Sequence, residues 1–204
     1  MSTTMKDKKY IFGLGTGRCG TVSLTSLLNL QESSCFSHEM GSKPYLSWEK
    51  ERLKIFNHLN LLIRNDKKFS GDVAFFLLPY VEDIIKFLPN SKFIILQRDK
   101  EGTINSYMKK TINRNHWMDH DGCKWNKDVW DKCYPKFFSN SKEEALGKYY
   151  DLYYDECKMI PQDKCFWMKT SELNDENTCL NMLEWCGFED VKYKNFISNK
   201  GENK

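Results

Sequence analysis

The sequence predicts an α/β protein, built as three α/β/α layers around a central parallel sheet. Short apolar runs alternate with longer helical patterns from end to end, and two of those runs feed polar turns that open helices directly. No Pro/Gly/Ser-rich linker, repeat or shift of composition divides the 204 residues, so one domain is expected. Strands that alternate with helices require right-handed crossovers, and these produce a parallel sheet whose ligands gather at the carboxyl ends of its strands.

The first strand is expected at 9–14 and the first helix at 21–29, joined within the stretch YIFGLGTGRCGTVSLTSLL at 10–28. Glycine in this turn lets the backbone approach a ligand closely, so that successive N–H groups converge on one anion. The helix adds its unpaired first-turn N–H groups and the positive end of its dipole. Arg18 adds a mobile positive charge. Gly15, Thr16, Gly17, Arg18, Cys19, Gly20, Thr21 and Val22 therefore read as a phosphate cradle. It is not a Walker A loop, which requires G-x-x-x-x-G-K-[ST]; here Gly20 is followed by Thr21 and Val22, so the lysine and the Mg²⁺-binding hydroxyl are missing from their places.

A second strand is expected at 34–37, followed by His38 and Glu39, and a long helix at 46–65. A third strand is expected at 72–76 and a helix at 79–87. The stretch SKFIILQRDKEGTINSYMK at 91–109 repeats the strand, polar turn and helix order, with a strand at 93–97 and a helix at 100–113. A helix at 142–159, a strand at 164–168 and a helix at 179–186 complete the pattern. The tail at 198–204 is polar and expected to be frayed.

With these two loops in this order, the chain resembles the sulfotransferases that use 3′-phosphoadenosine 5′-phosphosulfate (PAPS). The pattern G-x-G-R-C-G-T is similar to their 5′-phosphosulfate loop, and Arg98 and Ser106 match the strand-ending Arg and helical Ser that hold the nucleotide's 3′-phosphate. Those residue types suit the task, because Arg forks onto phosphate oxygens and a Ser hydroxyl donates one more bond. Looser likeness runs through FLLPYVEDIIKFLP at 76–89, the paired tyrosines of 141–154, and 166–187, so the resemblance spans about residues 9 to 190.

The resemblance implies a P-loop NTPase-like sulfotransferase architecture, PAPS as donor, 3′-phosphoadenosine 5′-phosphate (PAP) as product, and no metal. Arg18, with the cradle N–H groups, would neutralise the leaving oxygen. The family places its base at the mouth of the strand before the 3′-phosphate unit, and Asp72 takes that position here. His38 is its rival, because imidazole titrates near neutrality, and Glu39 ranks third. The R-K-G-x-x-G-D-W-K closing loop of many cytosolic members has no counterpart in 191–204; Lys194 or Lys200 could supply its charge. Tyr45 or Trp48 could stack on the adenine.

The segment 113–138 reads as a lid or substrate insertion. Trp117, Trp125 and Trp130, interleaved with Lys124 and Lys127, suit an amphipathic flap, with Trp117 and Trp125 facing a polar acceptor. His116, His120, Cys123 and Cys133 carry zinc-ligand chemistry, but H-x3-H-x2-C-x9-C matches no common zinc spacing. The acceptor itself is left open among carbohydrate, lipid headgroup, phenol and peptide.

A formal charge of +3 does not suggest general nucleic-acid binding. The N-terminus lacks an apolar h-region, no stretch approaches a membrane span, and no N-x-[ST] site occurs, so a cytoplasmic protein with its eight cysteines reduced is expected. Two other functions share the pattern: a P-loop small-molecule or nucleotide kinase, and a non-catalytic nucleotide-binding interaction protein.

Overall fold

The computed structural model describes residues 7–41 and 46–194; the expected tail at 198–204, Tyr45 and Lys200 lie outside them. In chain order the elements are β1 (Lys9–Leu14), α1 (Thr21–Asn29), β2 (Ser34–His38), α2 (Arg52–Arg64), β3 (Phe69–Val73), α3 (Val81–Phe87), β4 (Lys92–Gln97), α4 (Lys100–Lys110), α5 (Lys142–Lys158), β5 (Cys165–Lys169) and α6 (Glu176–Cys186). The strands form one sheet in the order β2-β3-β1-β4-β5, and every pairing is parallel.

The alternation of side chains along β1 builds the two outer layers. Tyr10, Phe12 and Leu14 point into a core with Ile55, Leu59, Phe76, Ile84, Tyr149 and Tyr153, which places α2, α3 and α5 on that face. Ile11 points the other way, to Leu24, Leu28, Met182 and Leu183 of α1 and α6. The three-layer α/β/α fold follows. From β1 the chain passes to β2 on one side of the sheet, and from β3 it crosses to β4 on the other, so β1 sits at a topological switch point where α/β sheets open a crevice.

Two of the differences from expectation bear on the site. The third strand lies at Phe69–Val73 rather than 72–76, and Phe75–Tyr80 forms a 3₁₀-helix that runs into α3. The apolar run that suggested a strand is buried because its side chains fill the core, and Pro79 has no N–H to give a ladder. Helix α2 starts at Arg52 rather than 46, because the preceding backbone is bonded elsewhere. Trp48 N–H donates to the Lys132 carbonyl, Glu51 N–H donates to the Tyr80 hydroxyl, and that hydroxyl donates to the Ser47 carbonyl. Among the described residues no helix is long and apolar enough to cross a membrane, and all eight cysteines are free thiols.

Candidate active site

The loop after β1 turns through three left-handed residues, Gly17 (φ 82°), Arg18 (φ 57°) and Gly20 (φ 93°). Arg18 is a non-glycine residue in that region, a conformation costing about 1–3 kcal/mol that persists only where the surroundings impose it. Here a set of tyrosines does so. The Thr16 carbonyl accepts from Tyr107 (2.6 Å) and Tyr149 (3.0 Å), and Gly15 N–H donates to the Tyr153 hydroxyl (2.9 Å), which in turn donates to the Phe75 carbonyl. Farther round α5, Tyr150 donates to the Arg98 carbonyl and Tyr154 to the Leu96 carbonyl. One helix thus clamps the chain at the ends of β1 and β4 and beyond β3.

Gly20 is the N-cap of α1 and offers no side chain to its first turn, so the helix begins with N–H groups unpaired by geometry. Thr21, Val22 and Ser23 line a cleft of about 380 Å³ together with Gly17, Arg18 and Gly20. Arg18 donates from Nε to the Ser106 hydroxyl of α4 at 3.1 Å, while Arg98 Nη1 donates to the Arg18 carbonyl at 3.1 Å. Arg98 lies at the end of β4 and α4 is capped by Asp99, which accepts from Gly102 N–H at 2.6 Å. Arg18, Arg98 and Ser106 are therefore brought together, although 80 and 88 positions separate the latter two from the first.

Within the loop the roles divide. Gly15 and Thr16 are spent on the tyrosine clamp, and Thr16 is wholly buried, so they shape the loop instead of facing the cleft. The Cys19 side chain is also wholly buried, its thiol pushed up to about 11 by desolvation, while its carbonyl accepts from Thr170 at 2.7 Å. An anion would meet residues 17 and 20–23 and the Arg18 side chain.

Asp72 is not at a strand mouth. It sits inside β3 with no exposed surface, because the strand starts three residues earlier than expected. Its carboxylate accepts from Ser37 Oγ at 2.7 Å and from Met40 N–H at 3.1 Å, and lies 3.6 Å from His58 Nε2. Burial holds His58 below its ordinary pKa, against the pull of Asp72. The carboxylate therefore cannot reach an acceptor, and its work is conformational. Glu39 and Met40 are consecutive left-handed residues (φ 53° and 58°), and Asp72 holds that turn in place.

The turn in turn aims Glu39 and His38 into the cleft. His38 Nε2 is 3.0 Å from Thr21 Oγ1, and its Nδ1 is 4.0 Å from Glu39 Oε2. Desolvation, reinforced by the negative charge of Asp72 and opposed by Arg18, pushes the Glu39 carboxyl up to about 7.

The segment 113–138 supplies Arg114, His116, Trp130 and Tyr134 to the lining of the same cleft, which Lys110 also lines. Neither tryptophan expected to face the acceptor does so. Trp117 has no exposed surface and packs edge-on against Tyr107 and Tyr134. Trp125 lies away from the cleft, against His120 and under the Lys124 ammonium. Among the described residues cysteine and histidine do not gather as metal ligands there: Cys133 is buried with its thiol pushed up to about 12, Cys123 is exposed, and only His116 joins a cluster, with Asp128 and Asp131. Those carboxylates are already held, Asp131 by His116 at 2.6 Å and Asp128 by Arg114 at 3.1 Å. Sequence reasoning missed the roles of the tyrosines, Tyr134, and His116 with Asp131. The i, i+4 spacing of Tyr149 and Tyr150 with Tyr153 and Tyr154 was the available signal for the clamp.

A family model described as a sulfotransferase domain matches residues 10–172. Among solved structures, a sulfotransferase from Alicyclobacillus acidocaldarius is similar, at TM-score 0.58 and 11% identity over 92% of this chain and 84% of that one. Mouse sulfotransferase SULT7A1 complexed with PAP is similar at TM-score 0.52 and 7% identity, over 92% of this chain and 60% of that one. A sulfotransferase domain from the curacin biosynthetic pathway is similar at TM-score 0.51 and 12% identity, over 92% and 75%. At these identities the likeness is one of fold. No curated protein matches the sequence.

Proposed function

The chain belongs to the sulfotransferase domain family, and on that premise we propose that it moves a sulfuryl group from PAPS to a hydroxyl or amine acceptor by in-line displacement. The observation that carries this reading is the meeting of the two loops at Arg18, whose side chain reaches Ser106 and whose carbonyl accepts from Arg98. One loop has the geometry for a 5′-phosphosulfate and the other the donors for a 3′-phosphate, and the structural relative complexed with PAP supports a nucleotide that carries both. When bound, PAPS supplies an activated sulfuryl group on a good leaving phosphate.

The chain's own part is to position and neutralise charge. Arg18 and the N–H groups at the start of α1 stabilise negative charge that grows on the bridging oxygen. Arg98 and Ser106 fix the far end of the nucleotide, turning a bimolecular encounter into an oriented one. Glu39 and His38 form the rim on the acceptor side. Where a Walker A loop would carry the Lys-Ser/Thr that binds Mg²⁺ and phosphate, this chain has Thr21-Val22, which disfavours a kinase.

The test is calorimetric titration with PAP in EDTA, beside 5′-AMP and ATP-Mg²⁺. Metal-independent binding that requires the 3′-phosphate, and that weakens ~10- to 100-fold in Arg98→Ala, is the expected result, since a hydrogen bond to a charged group contributes about 1.5–3 kcal/mol. Preference for ATP-Mg²⁺ would instead favour a kinase, and binding without turnover an interaction protein.

A further inference from the structure

Resting on the sulfotransferase reading, we infer that His116 is the base that takes the acceptor's proton, with Asp131 as the residue that positions its ring. His116 is 3% exposed, yet it lines the cleft that holds Arg18 and the start of α1. Its Nδ1 is 2.6 Å from Asp131 Oδ1, and a carboxylate can only accept there, so the neutral ring carries its hydrogen on Nδ1 and its lone pair on Nε2. Nε2 has no hydrogen-bond partner among the described residues.

The surroundings over-determine this orientation. Asp131 also accepts from Asp128 N–H at 3.0 Å, and Asp128 accepts from Trp130 N–H at 2.8 Å and pairs with Arg114. The imidazole stacks on Tyr134 at 5.4 Å and 9°, and Tyr134 stacks on Phe75 at 4.4 Å and 17°. A histidine needed for packing alone has no use for a carboxylate on one nitrogen and a cleft on the other. The rival His38 is differently placed, because the Thr21 hydroxyl occupies its Nε2 and Glu39 faces its Nδ1. Burial keeps the His116 ring below its ordinary pKa despite Asp131 and Asp128, which leaves it neutral and able to accept a proton near pH 7.

In the step, the acceptor oxygen bonds to sulfur while the bond from sulfur to the 5′-phosphate oxygen breaks and its electron pair leaves with the nucleotide. The acceptor's proton passes to Nε2, Asp131 stabilises the imidazolium, and solvent later removes the proton. The column of Phe75, Tyr134 and His116 presents aromatic faces, so phenols are the fitting probes.

The experiment compares wild type, His116→Gln, Asp131→Asn and His38→Gln by PAP calorimetry, by single-turnover sulfation of phenols of graded acidity, and by ¹⁵N NMR of the imidazoles. Expected for His116→Gln is PAP affinity within about threefold of wild type and a rate lower by about 10²- to 10⁴-fold with weakly acidic phenols, the loss shrinking with p-nitrophenol, which needs little base. Asp131→Asn should move the acidic limb of the rate–pH profile to lower pH, with Asp128, Arg114, Lys136 and Glu39 as the other charges in reach of that wall. In wild type the neutral His116 ring should carry its hydrogen on Nδ1. Unchanged rates in His116→Gln with loss in His38→Gln, or a neutral His116 protonated on Nε2, would overturn the assignment while leaving the sulfotransferase reading intact. A wild type that binds PAP only weakly and without regard to the 3′-phosphate removes both.

Discussion

The Arg18 guanidinium donates from Nε to the Ser106 hydroxyl at 3.1 Å, joining the loop after β1 to helix α4. The bond presets Arg18 over the mouth of the cleft before any ligand arrives, which lowers the entropy lost on binding. Arg18→Ala should reduce turnover at least 100-fold with only about tenfold loss of PAP affinity, because its charge is needed most as the leaving oxygen develops charge. Ser106→Ala should show the reverse split, a fewfold loss of affinity and little loss of rate at saturation. Parallel calorimetry and single-turnover kinetics check both.

Tyr153 stands between two backbone groups, accepting from Gly15 N–H and donating to the Phe75 carbonyl. Tyr153→Phe leaves the buried Gly15 N–H without that partner and takes one donor from the Phe75 carbonyl, so stability should fall by about 1–3 kcal/mol. Urea unfolding measures the loss, and PAP affinity should fall with it, because the loop that Gly15 starts is then less well held.

Asp72 separates structure from chemistry. Asp72→Ala strands the Met40 N–H and takes from the Ser37 hydroxyl its 2.7 Å acceptor, and should cost about 1–3 kcal/mol in denaturant. Asp72→Asn keeps an acceptor and should cost about half of that. If the strand position were catalytic, Asp72→Asn would abolish turnover at full occupancy; the expected outcome is turnover retained at temperatures where the protein stays folded.

Glu39 makes a pH dependence with a definite sign. Its folded pKa of about 7 exceeds the ordinary 4.5, so between those values the folded state holds the extra proton and stability falls as pH rises. The full contribution is present below about 4.5 and gone above about 7, and at ~1.4 kcal/mol per unit the loss amounts to a few kcal/mol. Glu39→Gln should flatten that slope and make the protein more stable than wild type at pH 8. Thermal melts from pH 4 to 8 read it directly.

Much of this was legible in the residues. β1 and α1 fall where the pattern put them, at Lys9–Leu14 and Thr21–Asn29, because an apolar run, a glycine turn and a helix start are local signals. β3 was misplaced because a buried 3₁₀-helix and a buried strand are alike in composition, and only pairing with β1 and β2 separates them. That one shift changed a candidate base into a buried support. Trp117 misled for a related reason, since an aromatic among lysines reads as surface when in fact the fold buries it.

By itself the sequence determined the layers, the parallel sheet, and a first loop that lacks the Walker lysine, since each follows from residue type and short-range spacing. Only the tertiary structure decided which side chains share the cleft. Arg18 meets Ser106, and His116 meets Asp131 at the cleft that Glu39 also lines, because strand order and the tyrosine hydroxyls of α5 fix the loop ends in space. Such long-range juxtapositions leave no periodic trace in the chain.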